Sequence, residues 1–216
     1  MISRTILAAG IFGAALAATP AAAQPSEAKW YARAGVTRLD LRDKLDLTFG
    51  GAPVPGADLN TKPHLTPTVQ VGRFIGDYFA LELTVGLPPH IKIDGRGALQ
   101  PFGRLAETTY GPTMLTAQFR PIRTGPVQPY IGGGAAYMII FSTKDAAFKD
   151  VEIDNDLSPA LIGGTDVMFN DRFGIFVDAK KAFLRTEARG TFGGAPVIGK
   201  VKLDPFAVSA GVTARF

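Results

Sequence analysis

Apolar and polar residues alternate with a period of two along most of this chain, and clusters of turn formers interrupt the alternation. The clearest run sets Phe79, Leu81, Leu83, Val85 and Leu87 against Ala80, Glu82, Thr84, Gly86 and Pro88. The same split recurs in Leu65, Pro67, Val69 and Val71 against Thr66, Thr68, Gln70 and Gly72. It returns in Phe173, Ile175, Val177 and Ala179 against Gly174, Phe176, Asp178 and Lys180, and the last run aligns Phe206, Val208, Ala210, Val212, Ala214 and Phe216. The pattern predicts eight strands, near 28–41, 64–75, 79–93, 107–122, 127–141, 157–169, 173–187 and 201–216.

The connections between them carry the topology. Three are short: Gly76-Asp77-Tyr78, Arg123-Thr124-Gly125-Pro126 and Asn170-Asp171-Arg172. The other four, near 42–63, 94–106, 142–156 and 188–200, are longer and alternate strictly with the short ones. A transmembrane barrel has this rhythm, with short periplasmic turns and longer extracellular loops. An even strand number then puts both termini on the periplasmic side. Such a barrel turns its apolar phase to lipid and its mixed phase to the lumen, whereas a soluble barrel inverts the two. Trp30, Phe74, Tyr78, Phe79, Phe119, Phe169, Phe173 and Phe216 lie near the strand ends that adjoin short turns or termini. An interfacial girdle would sit there, which favours the membrane. Lys181 shares the lipid-facing phase and is expected to snorkel to the outer interface.

The inward phase supplies the candidate lumen-lining residues Arg33, Gln70, Glu82, Thr84, Gln118, Asp166, Asp178 and Lys180. Charges in so narrow a space are expected to pair, because an unpaired ion there is costly. Two arrangements are open: a polar plug that closes the barrel, and a lined passage.

The chain's front end reads as a secretory signal. Met1-Ile2-Ser3-Arg4 is positive, residues 5–18 are apolar, and Ala21-Ala22-Ala23 offers a small-residue cleavage site. The apolar run falls short of the ~20 residues of a membrane-spanning helix. The expected organisation is a signal peptide over 1–23 and a single transmembrane β-barrel domain over 24–216. The formal charge of +4 falls by one with Arg4, and the basic residues are scattered, so no nucleic-acid partner is expected. The chain has no cysteine, which excludes a disulfide framework and thiol chemistry. His64 and His90, the two histidines, both fall near the outer strand ends, where adjacent strands could bring them together. Ser142, Ser158 and Ser209 have no histidine in a matching position, so no enzyme activity, metal or cofactor is expected. The acidic stretch Asp150–Asp156 lacks the glycine and terminal glutamate of a calcium loop and reads as a solvated extracellular loop.

Five segments, in order, resemble the OmpW/AlkL family of eight-stranded outer-membrane barrels. They are Tyr31-Ala32-Arg33-Ala34-Gly35; Ala80-Leu81-Glu82-Leu83 with Pro89-His90-Ile91-Lys92-Ile93; Pro112 to Gln118; Gln128-Pro129-Tyr130-Ile131-Gly132-Gly133-Gly134; and Leu203-Asp204-Pro205-Phe206 through to Arg215-Phe216. The resemblance implies a monomeric barrel in the cell outer membrane that gives small hydrophobic molecules a passive route inward, leaving sideways into the bilayer. It also implies lipid and lipopolysaccharide neighbours, and a barrel assembly machinery that reads the terminal aromatic, Phe216. The family places bulky apolar side chains in the lumen on its third and seventh strands, where this chain has Glu82, Thr84, Asp178 and Lys180. That departure keeps a second reading open: a closed structural or interaction barrel whose loops contact lipopolysaccharide or partners. A third, a soluble periplasmic binder of lipocalin type, would invert the faces.

Overall fold

A computed structural model describes residues 28–41 and 43–216, and the expected signal segment lies outside them. Fifteen strands follow in order: β1 Trp30–Asp40, β2 Asp43–Phe49, β3 Ala52–Pro53, β4 Ala57–Asn60, β5 His64–Ile75, β6 Phe79–Gly86, β7 His90–Gly97 and β8 Arg104–Phe119. They continue with β9 Val127–Asp145, β10 Lys149–Ile153, β11 Asp156–Met168, β12 Phe173–Ala182, β13 Leu184–Phe192, β14 Ala195–Leu203 and β15 Phe206–Arg215.

Eight of these close into an antiparallel up-and-down barrel: β1, β5, β6, β8, β9, β11, β12 and β15. The seam joins the first strand to the last, from Tyr31 opposite Arg215 to Asp40 opposite Phe206. Reciprocal bonds from Trp30 N to Phe216 O (2.9 Å) and from Phe216 N to Trp30 O (3.0 Å) finish it at the terminus. Closure leaves no edge strand inside a bilayer, where an unpaired backbone group has no water to bond.

The outer face is oily. Leu65, Leu83, Leu115, Ile131, Leu161 and Val212 are each at least 44% exposed, while Arg33, Glu82 and Asp166 inside are at most 1% exposed. A soluble barrel would reverse this, so the solvent around the wall is lipid. Trp30, Tyr78, Phe79, Phe119, Phe169, Phe173 and Phe216 form an exposed girdle at the end of the short turns. Phe74 does not belong to it: it is 7% exposed and stacks inside against Tyr31, 4.9 Å between centroids. The phase explains the correction, since Phe74 shares the inward parity of Gln70 and Gly72.

The long connections are themselves largely strand. The nineteen residues of β9 span roughly 60 Å along the strand, well beyond an apolar band about 25 Å tall. The excess stands outside the membrane, where β10, β13, β14, β2 and β3 form a second sheet. Two expected continuous strands are broken, by Leu87-Pro88-Pro89 between β6 and β7 and by Phe183 between β12 and β13. The last one breaks at Asp204-Pro205, between β14 and β15.

Candidate functional site: a stratified barrel interior

The periplasmic half of the interior is a solid polar plug. Arg33 sits at its centre, donating to Glu82 Oε2 at 2.7 Å, Asp166 Oδ1 at 2.6 Å, Tyr130 Oη at 3.0 Å and Gln70 Oε1 at 3.2 Å. Asp166 Oδ2 accepts from Arg120 at 2.9 Å and from Arg215 at 3.2 Å, so one carboxylate ties three arginines from β1, β15 and the end of β8. Gln118 accepts from Arg120 at 2.9 Å and Gln128 from Arg215 at 2.6 Å. Rings fill the space between the charges: the Arg33 guanidinium lies 4.8 Å from the Tyr31 ring, 4.7 Å from Tyr130 and 5.2 Å from Phe176. Planar arginines suit this role, because a guanidinium stacks on its faces and hydrogen-bonds at its edge.

Glycines make room for those rings. Tyr31 is paired with Gly72 and Tyr130 with Gly164 across neighbouring strands. A Cβ at Gly72 would stand 2.0 Å from the Tyr31 ring, and one at Gly164 would stand 2.8 Å from Tyr130. The bare backbone opposite each tyrosine lets its ring lie across the strand.

Toward the loops the interior changes character. A layer of hydroxyls comes first, with Thr37 Oγ1 2.9 Å from both Thr68 Oγ1 and Ser209 Oγ. Above it Leu39, Tyr110, Met138, Ala182 and Leu184 pack into an apolar cluster, joined by Ile91, Met114 and Ile140. A second cluster, around Leu47, Leu99, Leu105 and Val197, continues it between the extracellular strands. The two enclose a cavity of about 200 Å³ whose floor includes Lys180, Thr37, Thr68 and Ser209. Beneath the plug a separate vestibule of about 950 Å³ opens among the periplasmic turns, past Phe74, Arg123 and Arg215.

All eight lumen candidates are buried: Arg33, Gln70, Glu82, Gln118, Asp166 and Asp178 lie in the plug, while Thr84 and Lys180 reach the cavity floor. Lys181 is exposed on the outer wall, with its ammonium 5.1 Å from the Phe183 ring. Reading for charge missed Tyr31, Arg120, Tyr130, Phe176 and Arg215 as plug members. Tyr31, Arg120 and Phe176 continue the inward parity of Arg33, Gln118 and Asp178, and Arg215 alternates with the lipid-facing Ala214 and Phe216, whereas Tyr130 lies on β9, where no inward residue was named. The histidines take separate partners. His64 Nε2 lies 3.3 Å from Tyr110 Oη, and His90 bonds Glu107 at 2.9 Å and Thr109 at 3.1 Å. Among the described residues no group of three metal-ligating side chains occurs.

The OmpW family model matches residues 27–216. The chain belongs to the OmpW family. Membership accounts for the barrel and places this protein in the outer membrane. Relatives extend over the whole length: the dibenzothiophene metabolism operon protein PahQ of Pseudomonas aeruginosa is 33% identical over 216 residues, covering all of both chains. The outer membrane protein AlkL of Ectopseudomonas oleovorans is 28% identical over 192 residues, 88% of this chain and 84% of AlkL. Among solved structures, AlkL in lipid bilayers superposes with a TM-score of 0.74 at 26% identity, over 91% of this chain and 94% of AlkL. The crystal structure of OprG from P. aeruginosa gives 0.81 at 22% identity, over 88% and 96% of the two chains, a likeness of fold.

Proposed function

We propose that this OmpW-family barrel is a passive, monomeric, cofactor-free uptake protein for small hydrophobic molecules, and that it does not act as an enzyme. The observation that carries the reading is the apolar cavity in the outer half, bounded below by the plug. A solute entering from the loops meets leucine, isoleucine and methionine side chains in place of the polar lipopolysaccharide layer. It cannot continue into the periplasm through the Arg33–Asp166 network, so its way out is sideways.

The wall supports a lateral exit at one place. β5 pairs with β6 only from Thr68 to Ile75, and above that level the bonds from Leu87 N to Pro67 O (3.0 Å) and Thr66 Oγ1 to Leu87 O (2.8 Å) bridge the two. Pro67, Pro88, Pro89 and Pro112 surround this seam, and none can donate a backbone hydrogen bond. Thr66, Gly86 and Pro112 line the cavity from the same side. The seam therefore has few backbone hydrogen bonds to break where it borders the cavity.

The test is uptake by vesicles with a lipopolysaccharide outer leaflet, which slows apolar entry, with and without the refolded barrel. Octane and dibenzothiophene should enter faster with the barrel, and glucose should not. Ala182→Phe, which fills the cavity, should reduce the apolar flux severalfold. Flux no higher than in protein-free vesicles, from a barrel verified as folded, overturns the reading. A second reading, a closed barrel whose loops hold lipopolysaccharide, is favoured by one feature. Arg185 and Lys202 lie directly opposite each other on the exposed outer sheet, with only Asp204 Oδ2, 3.9 Å from the Lys202 ammonium, as a carboxylate partner of the pair among the described residues. Like charges so placed repel unless an anion lies across them. That reading predicts lipopolysaccharide binding without solute flux.

A further inference from the structure

The cavity floor carries chemistry that a hydrocarbon does not use. Lys180 is 4% exposed, and of the buried charged side chains it alone lines the cavity. Its ammonium donates to Asp178 Oδ1 at 2.6 Å, which leaves two of its three N–H groups without a protein partner among the described residues. Asp178 is held from the plug side, its Oδ2 accepting from Gln70 Nε2 at 3.2 Å. Beside Lys180, Thr37 donates to Ser209 Oγ at 2.9 Å, so the Ser209 hydroxyl keeps its own proton to give. Ser209 pairs across the ladder with Asp178, and Ala207 with Lys180, which puts both donors on one inward face. The interior as a whole also holds a surplus of positive charge: Arg33, Arg120, Lys180 and Arg215 face Glu82, Asp166 and Asp178, four cations to three carboxylates.

Buried donors without acceptors are costly, and the cost is recovered when an acceptor arrives. We propose that the cavity is an oriented site for amphipathic acids. The apolar body of the ligand lies between Leu39, Met114, Met138 and Ala182, and its carboxylate meets the Lys180 ammonium and the Ser209 hydroxyl at the floor. This deepens the uptake reading and rests on it, since it needs the same cavity to admit solutes. A plain hydrocarbon fills the walls but offers no acceptor to the donors that Lys180 and Ser209 have left after their bonds to Asp178 and Thr37. A medium-chain carboxylate satisfies both, so the barrel discriminates between solutes of equal length by the polar end.

The test uses the full barrel in lipid nanodiscs, with radiolabelled octanoate and octane at equilibrium in sealed dialysis cells against protein-free nanodiscs. Octanoate is expected to bind saturably and more tightly than octane. Lys180→Met should weaken octanoate by about tenfold or more, the worth of a charge-assisted hydrogen bond, and leave octane unchanged, while Lys180→Arg should retain octanoate. Because Lys180→Met strips Asp178 of a partner, Asp178→Asn/Lys180→Met serves as the paired variant, and Ser209→Ala gives a smaller loss without touching the ion pair. The comparison of the two solutes on the unaltered barrel needs no variant at all. Saturable octane binding without octanoate binding overturns the inference and leaves the uptake reading standing. So does octanoate binding indifferent to Lys180→Met. No saturable binding of either solute overturns both.

Discussion

At the scale of single residues, one inward parity per strand carries a graded composition. On β1 it runs Tyr31, Arg33, Thr37, Leu39; along β12 and β13, Phe176, Asp178, Lys180, Ala182, Leu184; and along β15 in reverse, Arg215, Thr213, Ser209, Ala207. The gradient was legible in the sequence, but only when parity was followed past the charged residues to the hydroxyls and aliphatics beyond them. The energetic weight falls on Asp166, which joins three arginines in a site 1% exposed. Asp166→Ala takes from three buried guanidinium groups the carboxylate they share, leaving Arg33 on Glu82 and Arg120 and Arg215 on the neutral Gln118 and Gln128, and it should destabilise the barrel by about 3–5 kcal/mol. Thr84→Val, by contrast, removes only a hydroxyl bonded at 3.5 Å and should cost less than about 1 kcal/mol. Urea unfolding in lipid vesicles measures both.

Elements show a different division. The period-two pattern located β5 to the residue and β1, β8, β9 and β11 to within a few positions, because a half-buried strand must alternate, but it ran β6, β12 and β15 on through the breaks at Leu87-Pro88-Pro89, Phe183 and Asp204-Pro205. It did not foresee that the loops would be strands, since their pairing is decided by partners far along the chain, as in β2 against β14. These outer strands are tied by exposed ion pairs. Glu107 accepts from His90 and from Arg104, and these two bonds hold its carboxyl below the usual range. Asp145 is lowered likewise by the amides of Val151 and Asp150 that cap the β9–β10 turn. Depressed pKa values mean that the stabilisation is present above the unfolded carboxylate range and is lost as pH falls through the folded values. Hydrogen exchange at Val151 and in β7, expressed as protection relative to the unstructured rate at the same pH, should therefore hold from neutral pH down to about pH 4 and fall below it, with the barrel strands unaffected. Protection that falls together in both regions would contradict this.

The molecule as a whole is a tube filled by height: ions at the periplasmic end, hydroxyls in the middle, hydrocarbon outside. The plug makes a claim about permeability, namely that planar bilayers containing the barrel should show no steady ion conductance. Arg33→Ala/Asp166→Ala should open measurable conductance if the chain still folds, and a conducting unaltered barrel would refute the plug. Closure makes another claim. Phe216 supplies both backbone bonds of the terminal seam and an exposed girdle ring, so deleting it should lower the amount of heat-modifiable, folded barrel in outer-membrane fractions. The sequence by itself determined the strand parity, the alternation of short and long connections, the lipid-facing surface and the family, because each is a local or collinear property of the chain. Only the tertiary structure decided that Arg33, 133 residues from Asp166 in sequence, would close on it, and that inward aliphatics from strands as far apart as β1 and β14 would line one cavity. Such contacts depend on strand stagger and on which height each residue reaches around a closed ring, and neither is written in the periodicity of any one strand.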